Sequence, residues 1–342
     1  MGMRHGLLRT ACSRNPKNTS NPLIFLRKMA TFRCFARHKV MLACASAARM
    51  TFCRLSHKMK GPVMIELIKA IIFGIVEGIT EWLPISSTGH MILLDEFMSL
   101  NVTPEFLEMF LVVIQLGAIL AVVVIYWKRL FPFGLEKAKG KTKVTVDRPM
   151  MVMWLKIVIA SVPAAIVGVF FDDWLNALFY NYVTVAIMLI IFGILFIVIE
   201  NSSFSKNAHV HSISEITYTA ALIIGVFQMI AAVFPGTSRS GATIVGALLI
   251  GISRTVAAEF TFFLAIPAML GGSALKLLKF GFHFTSQELM ILLVGMAVAF
   301  IVSILAIKFL MAYIKKHDFK VFGWYRIILG MIILVWFAVQ TL

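Results

Sequence analysis

Residues 83–89 read LPISSTG, and they interrupt an apolar run, 64–98, long enough to cross a membrane. Proline cannot donate a backbone hydrogen bond, and the glycine and hydroxyl residues around it favour a turn. A second apolar run, 216–252, is interrupted in the same way by FPGTSRSG at 234–241. Both read as broken or re-entrant helices. Irregular backbone at membrane depth is tolerated only where it is buried in protein or lines a wet cavity. The two interruptions therefore mark a polar pocket inside an apolar body.

The rest of the chain supports that reading. It is 60% hydrophobic and 14% charged, outside the range of ordinary soluble domains. Runs of roughly 20 apolar residues, the length that spans hydrocarbon as helix, fall at 106–127, 150–171, 178–200, 256–279, 287–313 and 322–342. The fold class expected is an all-α polytopic membrane protein. The net charge of +16 suggests an anionic partner, but 13 of the 32 Lys and Arg lie in residues 1–63, which contain no Asp or Glu. Nucleic acid is not an expected partner; membrane lipids are. All four cysteines, Cys12, Cys34, Cys44 and Cys53, also lie in that leader. Their irregular spacing indicates neither a disulfide framework nor a zinc site. Residues 1–63 read as sequence upstream of a start at Met59 or Met64, as a basic tail or as a transit peptide, and not as part of the fold. Residues 64–342 form the membrane domain.

Each interrupted run is followed by three spans. Without gaps, at an offset of 151 residues, Gly74 meets Gly225, Pro84 meets Pro235 and Ser87 meets Ser238. Three is odd, so the second half (about 216–342) is inverted relative to the first (about 64–200), each half a re-entrant helical hairpin plus three transmembrane helices. The short loops agree. The stretch 128–148 carries seven Lys or Arg, whereas 95–105 and 172–177 carry Asp95, Glu96, Glu105, Asp172 and Asp173 and no base. Basic loops stay on the cytoplasmic side. Lys276 and Lys279, near an outer end, are the exception; they could snorkel. Asp172 and Asp173 read as a solvated outer loop, and Trp154, Trp174 and Trp324 as an interfacial belt. Inverted repeats bring their broken points together near the bilayer midplane, so the two motifs should share one pocket.

The pocket's chemistry can be read from its residue types. Glu77 and Glu81 are one helical turn apart on one face, and intramembrane acids are functional candidates by default. They can share a proton, hold a cation or act as acid and base. Ser86, Ser87, Thr88 and His90 offer hydroxyls, a helix start that suits an anion, and a nucleophile with a proton partner. Plain N-capping explains one of those hydroxyls. Arg239, among Thr237, Ser238 and Ser240, suits a phosphate or pairs with Glu77 or Glu81. Carboxylates beside a phosphate repel it unless a divalent cation, Mg2+ or Ca2+, bridges them. Together these features describe a hydrolase for a phosphorylated lipid.

At EGITEWLPISSTGHMIL (77–93) and PGTSRSG (235–241), the chain resembles the undecaprenyl-diphosphate phosphatases of bacteria, also called bacitracin-resistance proteins. The likeness covers roughly residues 64–342. It implies hydrolysis of undecaprenyl diphosphate to the monophosphate and inorganic phosphate, recycling the lipid carrier of peptidoglycan synthesis and conferring bacitracin resistance. It also implies a divalent cation and an inner-membrane location with the site open to the periplasm. Carried onto this chain, the catalytic set is Glu77, Glu81, Ser87, His90 and Arg239. Ser86, Thr88, Thr237, Ser238 and Ser240 bind substrate, and Glu77 and Glu81 hold the metal. Ser87 is the expected nucleophile, with His90 its competitor; His90 or Glu81 handles the proton. A second copy of the chain is the protein partner allowed for.

Two rivals were weighed. Acid-phosphatase-like lipid phosphatases need a histidine and an aspartate after Ser-Arg, and SRSGATIVGALLIG (238–251) has neither. A polyprenyl-phosphate transporter or flippase would use the same architecture and pocket, but it would need no nucleophile.

Overall fold

The computed structural model describes residues 61–138, 141–202 and 207–340. The reading of the leader lies outside these residues, except that Gly61 already begins the first helix. The chain runs through α1 (Gly61–Thr80), a tight corner, α2 (Ser87–Met98), α3 (Pro104–Val113), α4 (Gln115–Ile125) and a short α5 (Trp127–Leu130). A hairpin of β1 (Phe133–Ala138) and β2 (Lys141–Val146) follows, then α6 (Arg148–Phe170), α7 (Asp172–Phe179) and α8 (Tyr182–Asn201). After these come α9 (Tyr218–Val233), a second tight corner, α10 (Arg239–Leu249), α11 (Arg254–Phe280), α12 (Ser286–Tyr313) and α13 (Lys320–Gln340). The hairpin, antiparallel with Phe133 opposite Val146, departs from an all-helical chain. It lies in the basic stretch 128–148.

Among the described residues, six segments are long and apolar enough to span a membrane: α3 with α4, α6, α8, α11, α12 and α13. Several helices begin where the sequence supplies caps. Asp147, Asn181 and Thr217 accept hydrogen bonds from the amides of Met150, Thr184 and Ala220, and Thr285 forms a capping box with Glu288. Such caps satisfy amides that a helix start leaves without partners. On α6, Val152, Leu155, Val158, Val162, Ile166 and Val169 form an exposed apolar stripe, while Met153, Ile157 and Ala160 turn inward. Lipid accepts such a stripe.

The principal contacts join α8 to α13, α1 to α12 and α9 to α6. Further packing joins α12 to α4, α11 to α6, and α11 to α3 and α4. Helix α11 is the hub, burying Phe260, Phe262 and Phe263 completely. Without lipid-excluded area to drive association, membrane helices pack through close backbone approach at small residues. Gly74 and Gly225 do this: a Cβ on Gly74 would lie 2.6 Å from the Gly295 carbonyl oxygen, and one on Gly225 would strike that of Ala160. Gly225→Ala is therefore expected to force α9 from α6. The overpacking costs about 1–3 kcal/mol, and the thermal midpoint in detergent should fall by several degrees. A midpoint equal to the wild type's would mean that this approach contributes nothing.

The expectation of a solvated position holds for Asp173, whose side chain is 87% exposed, but the two acids open α7 rather than lie in a loop. Asp172 and Asp173 are ion-paired: Lys276 bonds Glu108 at 2.6 Å and Asp172 at 3.2 Å, and Lys279 bonds Asp173 at 2.7 Å. Lys279 holds the Asp173 carboxyl below its usual range through that hydrogen bond. The two lysines that were the exception in the charge pattern thus meet acids on α3 and α7. Trp174 and Trp324 are exposed, as a belt requires. Trp154 is half-buried, and its indole N–H donates to the Leu130 carbonyl at 2.7 Å.

Candidate active site

The two corners are built alike. Ser86 ends the first and caps α2, accepting from the Gly89 amide at 3.4 Å; Ser238 ends the second and caps α10, accepting from the Gly241 amide at 3.2 Å. Both serines have positive φ, 73° and 65°, which is uncommon for a residue with a side chain. The caps are 152 residues apart, one more than the gapless offset, so the second corner holds an extra residue. That corrects the pairing of Ser87 with Ser238. Ser86 corresponds to Ser238, and Ser87 to Arg239.

The corners meet. Arg239 Nη2 bonds Glu81 Oε1 at 3.0 Å, and Arg239 Nη1 donates to the Thr261 carbonyl at 3.2 Å. The Ser87 hydroxyl donates to Glu81 Oε2 at 2.8 Å, so Glu81 lies between the hydroxyl and the cation. The Ser240 hydroxyl donates to the Glu81 carbonyl at 3.1 Å and lies 3.1 Å from the Ser238 hydroxyl. Thr243 extends the network to Thr261, with hydroxyl oxygens 2.9 Å apart. Glu81 is 6% exposed and Glu77 1%. Glu77 Oε1 has no hydrogen-bond partner, nor has the Thr237 hydroxyl. Thr88 stands partly exposed in the first turn of α2 and takes no part in these bonds. Ser86 is fully buried, its hydroxyl occupied by the cap.

His90 faces elsewhere. Its Nδ1 lies 2.7 Å from the Ser86 carbonyl and its Nε2 2.7 Å from the Tyr325 hydroxyl. A carbonyl only accepts, so Nδ1 carries the proton and neutral Nε2 accepts from Tyr325. Of the two proton handlers expected, Glu81 is the one placed on Ser87.

Two residues of α13 escaped the sequence reading. Tyr325 is the partner of His90. Arg326, wholly buried, donates to the carbonyls of Pro84 at 3.4 Å, Gly236 at 3.0 Å and Thr237 at 2.6 Å. It ties both corners together and lies over the Phe192 ring at 5.7 Å. A Cβ on residue 241 would press on its Nη1, so Gly241 makes room for it. Its sequence signal was a permanent cation within an apolar span.

Glu77 and Glu81 are hard oxygen donors, and the unpartnered Glu77 oxygen suits a divalent cation. Among the described residues no group of three or more His, Cys, Asp or Glu could hold a metal, so phosphate oxygens would have to complete the shell. A cavity of about 470 Å3 leads from Arg239 between α6, α9 and α11 toward Asp172 and Lys276.

Residues 70–332 match the family model of bacitracin resistance protein BacA. A Desulfitobacterium hafniense protein called undecaprenyl-diphosphatase is 66% identical over 279 residues, 82% of this chain and 99% of its own. Undecaprenyl-diphosphatase 1 of Clostridium acetobutylicum is 66% identical over 275 residues, 80% of this chain and 98% of its own. An Enterococcus faecalis undecaprenyl-diphosphatase is 60% identical over 271 residues, 79% and 97% of the two chains.

Proposed function

Since the chain belongs to the bacitracin resistance protein BacA family and dephosphorylates undecaprenyl diphosphate, we propose that it does so where the two corners meet. The observation that carries this is Glu81, which accepts from the Ser87 hydroxyl on one oxygen and from Arg239 on the other. A carrier that only moved the headgroup would need the arginine but not a hydroxyl set on a buried base.

Ser87 Oγ attacks the terminal phosphorus and its proton passes to Glu81. The bond from that phosphorus to the bridging oxygen breaks, and undecaprenyl phosphate leaves. Glu81 passes that proton to the departing undecaprenyl phosphate; freed again, it deprotonates a water that attacks the phosphoserine, and the Ser87 oxygen leaves with the proton from Glu81, giving inorganic phosphate. Arg239 contributes twice. Drawn from Glu81 onto the incoming phosphate, it neutralises the charge of the transferred group, and its departure leaves the Glu81 carboxylate free to receive the Ser87 proton. Ser238, Ser240, Thr237 and Thr88 line the phosphate's surroundings. Ser86 supports the corner by capping it. His90 and Tyr325 form a hydrogen-bonded pair that would have to part before the imidazole could act as nucleophile. Glu77 and Glu81 would hold a divalent cation, Mg2+ or Ca2+, which when bound screens the diphosphate from the two carboxylates.

The inverted repeat has support in the packing. Exchanging α1, α2, α3–α4, α6 and α8 for α9, α10, α11, α12 and α13 maps the contact α1–α12 onto α9–α6 and α4–α12 onto α11–α6. The same exchange leaves α8–α13 and the α11 contacts with α3 and α4 unchanged. The orientation has support in the cavity, which runs from Arg239 toward the acid-bearing end, the periplasmic side of a bacterial inner membrane by the charge rule.

The test is phosphate release from undecaprenyl diphosphate in detergent. Release requires Mg2+ or Ca2+ and stops with EDTA. Ser87→Ala lowers kcat by roughly 10^3-fold or more. A phosphoenzyme trapped by rapid quench is stable to acid and labile to base. An acid-labile, base-stable adduct would instead identify His90 as nucleophile.

A further inference from the structure

The cavity beside Arg239 contains a buried amide with nothing to bind. Gln228, on α9, is 2% exposed, and neither its Oε1 nor its Nε2 has a hydrogen-bond partner. The surrounding walls are small and apolar: Ala231, Ala232, Ala268 and Gly271 line them. The other polar groups there are occupied. The Ser161 hydroxyl donates to the Ile157 carbonyl at 2.8 Å, and Asp172 and Lys276 pair at the far end. Each buried group left unpaired costs about 1–3 kcal/mol, so an apolar side chain of the same shape would make a more stable protein. An amide retained at that cost fits a ligand that offers both an acceptor and a donor.

The diphosphate is such a ligand. We infer that Gln228 binds the lipid-proximal phosphate of the substrate, with the small-residue walls around it taking the first isoprene units of the chain. This rests on the reading of Arg239 as the clamp on the terminal phosphate. With that phosphate on the guanidinium, the second phosphate points into the cavity. The Gln228 NH2 donates to one of its oxygens, while Oε1 accepts from a water or protonated oxygen beside it. A neutral amide orients this phosphate without an ion pair, so the lipid monophosphate is not held by a charge after cleavage.

The test compares the full-length protein with Gln228→Met, which keeps the length and removes the polar atoms, and with Gln228→Glu, which adds a repelling charge. Undecaprenyl phosphate and inorganic phosphate serve as inhibitors. The first carries only the proximal phosphate; the second competes at the clamp. Gln228→Met raises KM for undecaprenyl diphosphate and Ki for undecaprenyl phosphate together, by about 10- to 100-fold. It leaves Ki for inorganic phosphate unchanged and the thermal midpoint equal or higher. Gln228→Glu raises KM further. Unchanged KM and lipid-phosphate Ki in Gln228→Met, an equal rise in Ki for inorganic phosphate, or a lowered midpoint would each overturn the assignment. Arg239→Ala in the same assay separates the two readings. If it abolishes turnover while Gln228→Met behaves as wild type, only the role of Gln228 falls; if it leaves turnover and phosphate inhibition intact, the clamp itself falls.

Discussion

Arg239→Ala is expected to release phosphate from undecaprenyl diphosphate roughly 10^3- to 10^5-fold more slowly than the wild type, the range an arginine on a transferred phosphoryl group supplies. Two losses combine in that figure. The transferred group loses its cation, and Glu81, 6% exposed, loses the hydrogen bond from Arg239 that holds it in place against the Ser87 hydroxyl. Both kcat and KM should suffer, because the guanidinium acts on bound substrate and on the reacting group alike. Arg239→Lys restores little: one ammonium cannot reach Glu81 and the Thr261 carbonyl from the same stem. Steady-state kinetics in detergent with saturating Mg2+ checks this. A variant within tenfold of wild type would show that the phosphate is held elsewhere.

Arg326→Met should be nearly as damaging for a different reason. The guanidinium touches no substrate in the mechanism above; it binds three carbonyls, those of Pro84, Gly236 and Thr237, belonging to two corners. Removing it strands those oxygens in a site from which water is excluded, at about 1–3 kcal/mol for each. The corners also lose a side chain that binds the backbone of both. The thermal midpoint should drop by roughly 10 °C, and phosphate release by about 10^2-fold or more, as expected when reacting groups shift by an ångström. A variant with a lowered midpoint but full turnover would make Arg326 a fold residue alone. One unchanged in both would remove it from the account.

The contrast between these arginines shows what could be read in advance. Arg239 sits among serines, threonine and glycines at a break in an apolar run, so its local sequence declares it. Arg326 sits in WYRIILG (324–330), near the start of a span, where a cation and two aromatics fit a membrane interface equally well. Only the packing of α13 against α8 carries it to corners 242 residues away in sequence from Pro84 and 90 from Gly236. Gln228 escaped for a similar reason: inside GVFQMIAAV (225–233) one amide hardly alters an apolar run, and its isolation becomes visible only when the cavity is seen. The six spans, the two breaks and the Glu–Ser–Arg set were legible because hydrophobic length and intramembrane charge are local properties. The position of His90 was not, since its partner Tyr325 comes from the other end of the chain. The match between the two breaks is one residue off in the gapless alignment, which pairs proline with proline and Ser87 with Ser238, whereas the caps equate Ser86 with Ser238.

That single-residue offset has a wider meaning. Two corners of like geometry, each with a serine cap at positive φ, differ at the position that follows the cap: a hydroxyl in one, a guanidinium in the other. Had both copies carried arginine, the pocket would be a symmetric anion receptor with no means of breaking a bond; had both carried serine, it would have two nucleophiles and nothing to draw a phosphate toward them. In the mechanism proposed above, the division of labour between attacking group and electrophilic partner, which most enzymes draw from unrelated parts of a chain, falls on equivalent positions of two corners of like geometry.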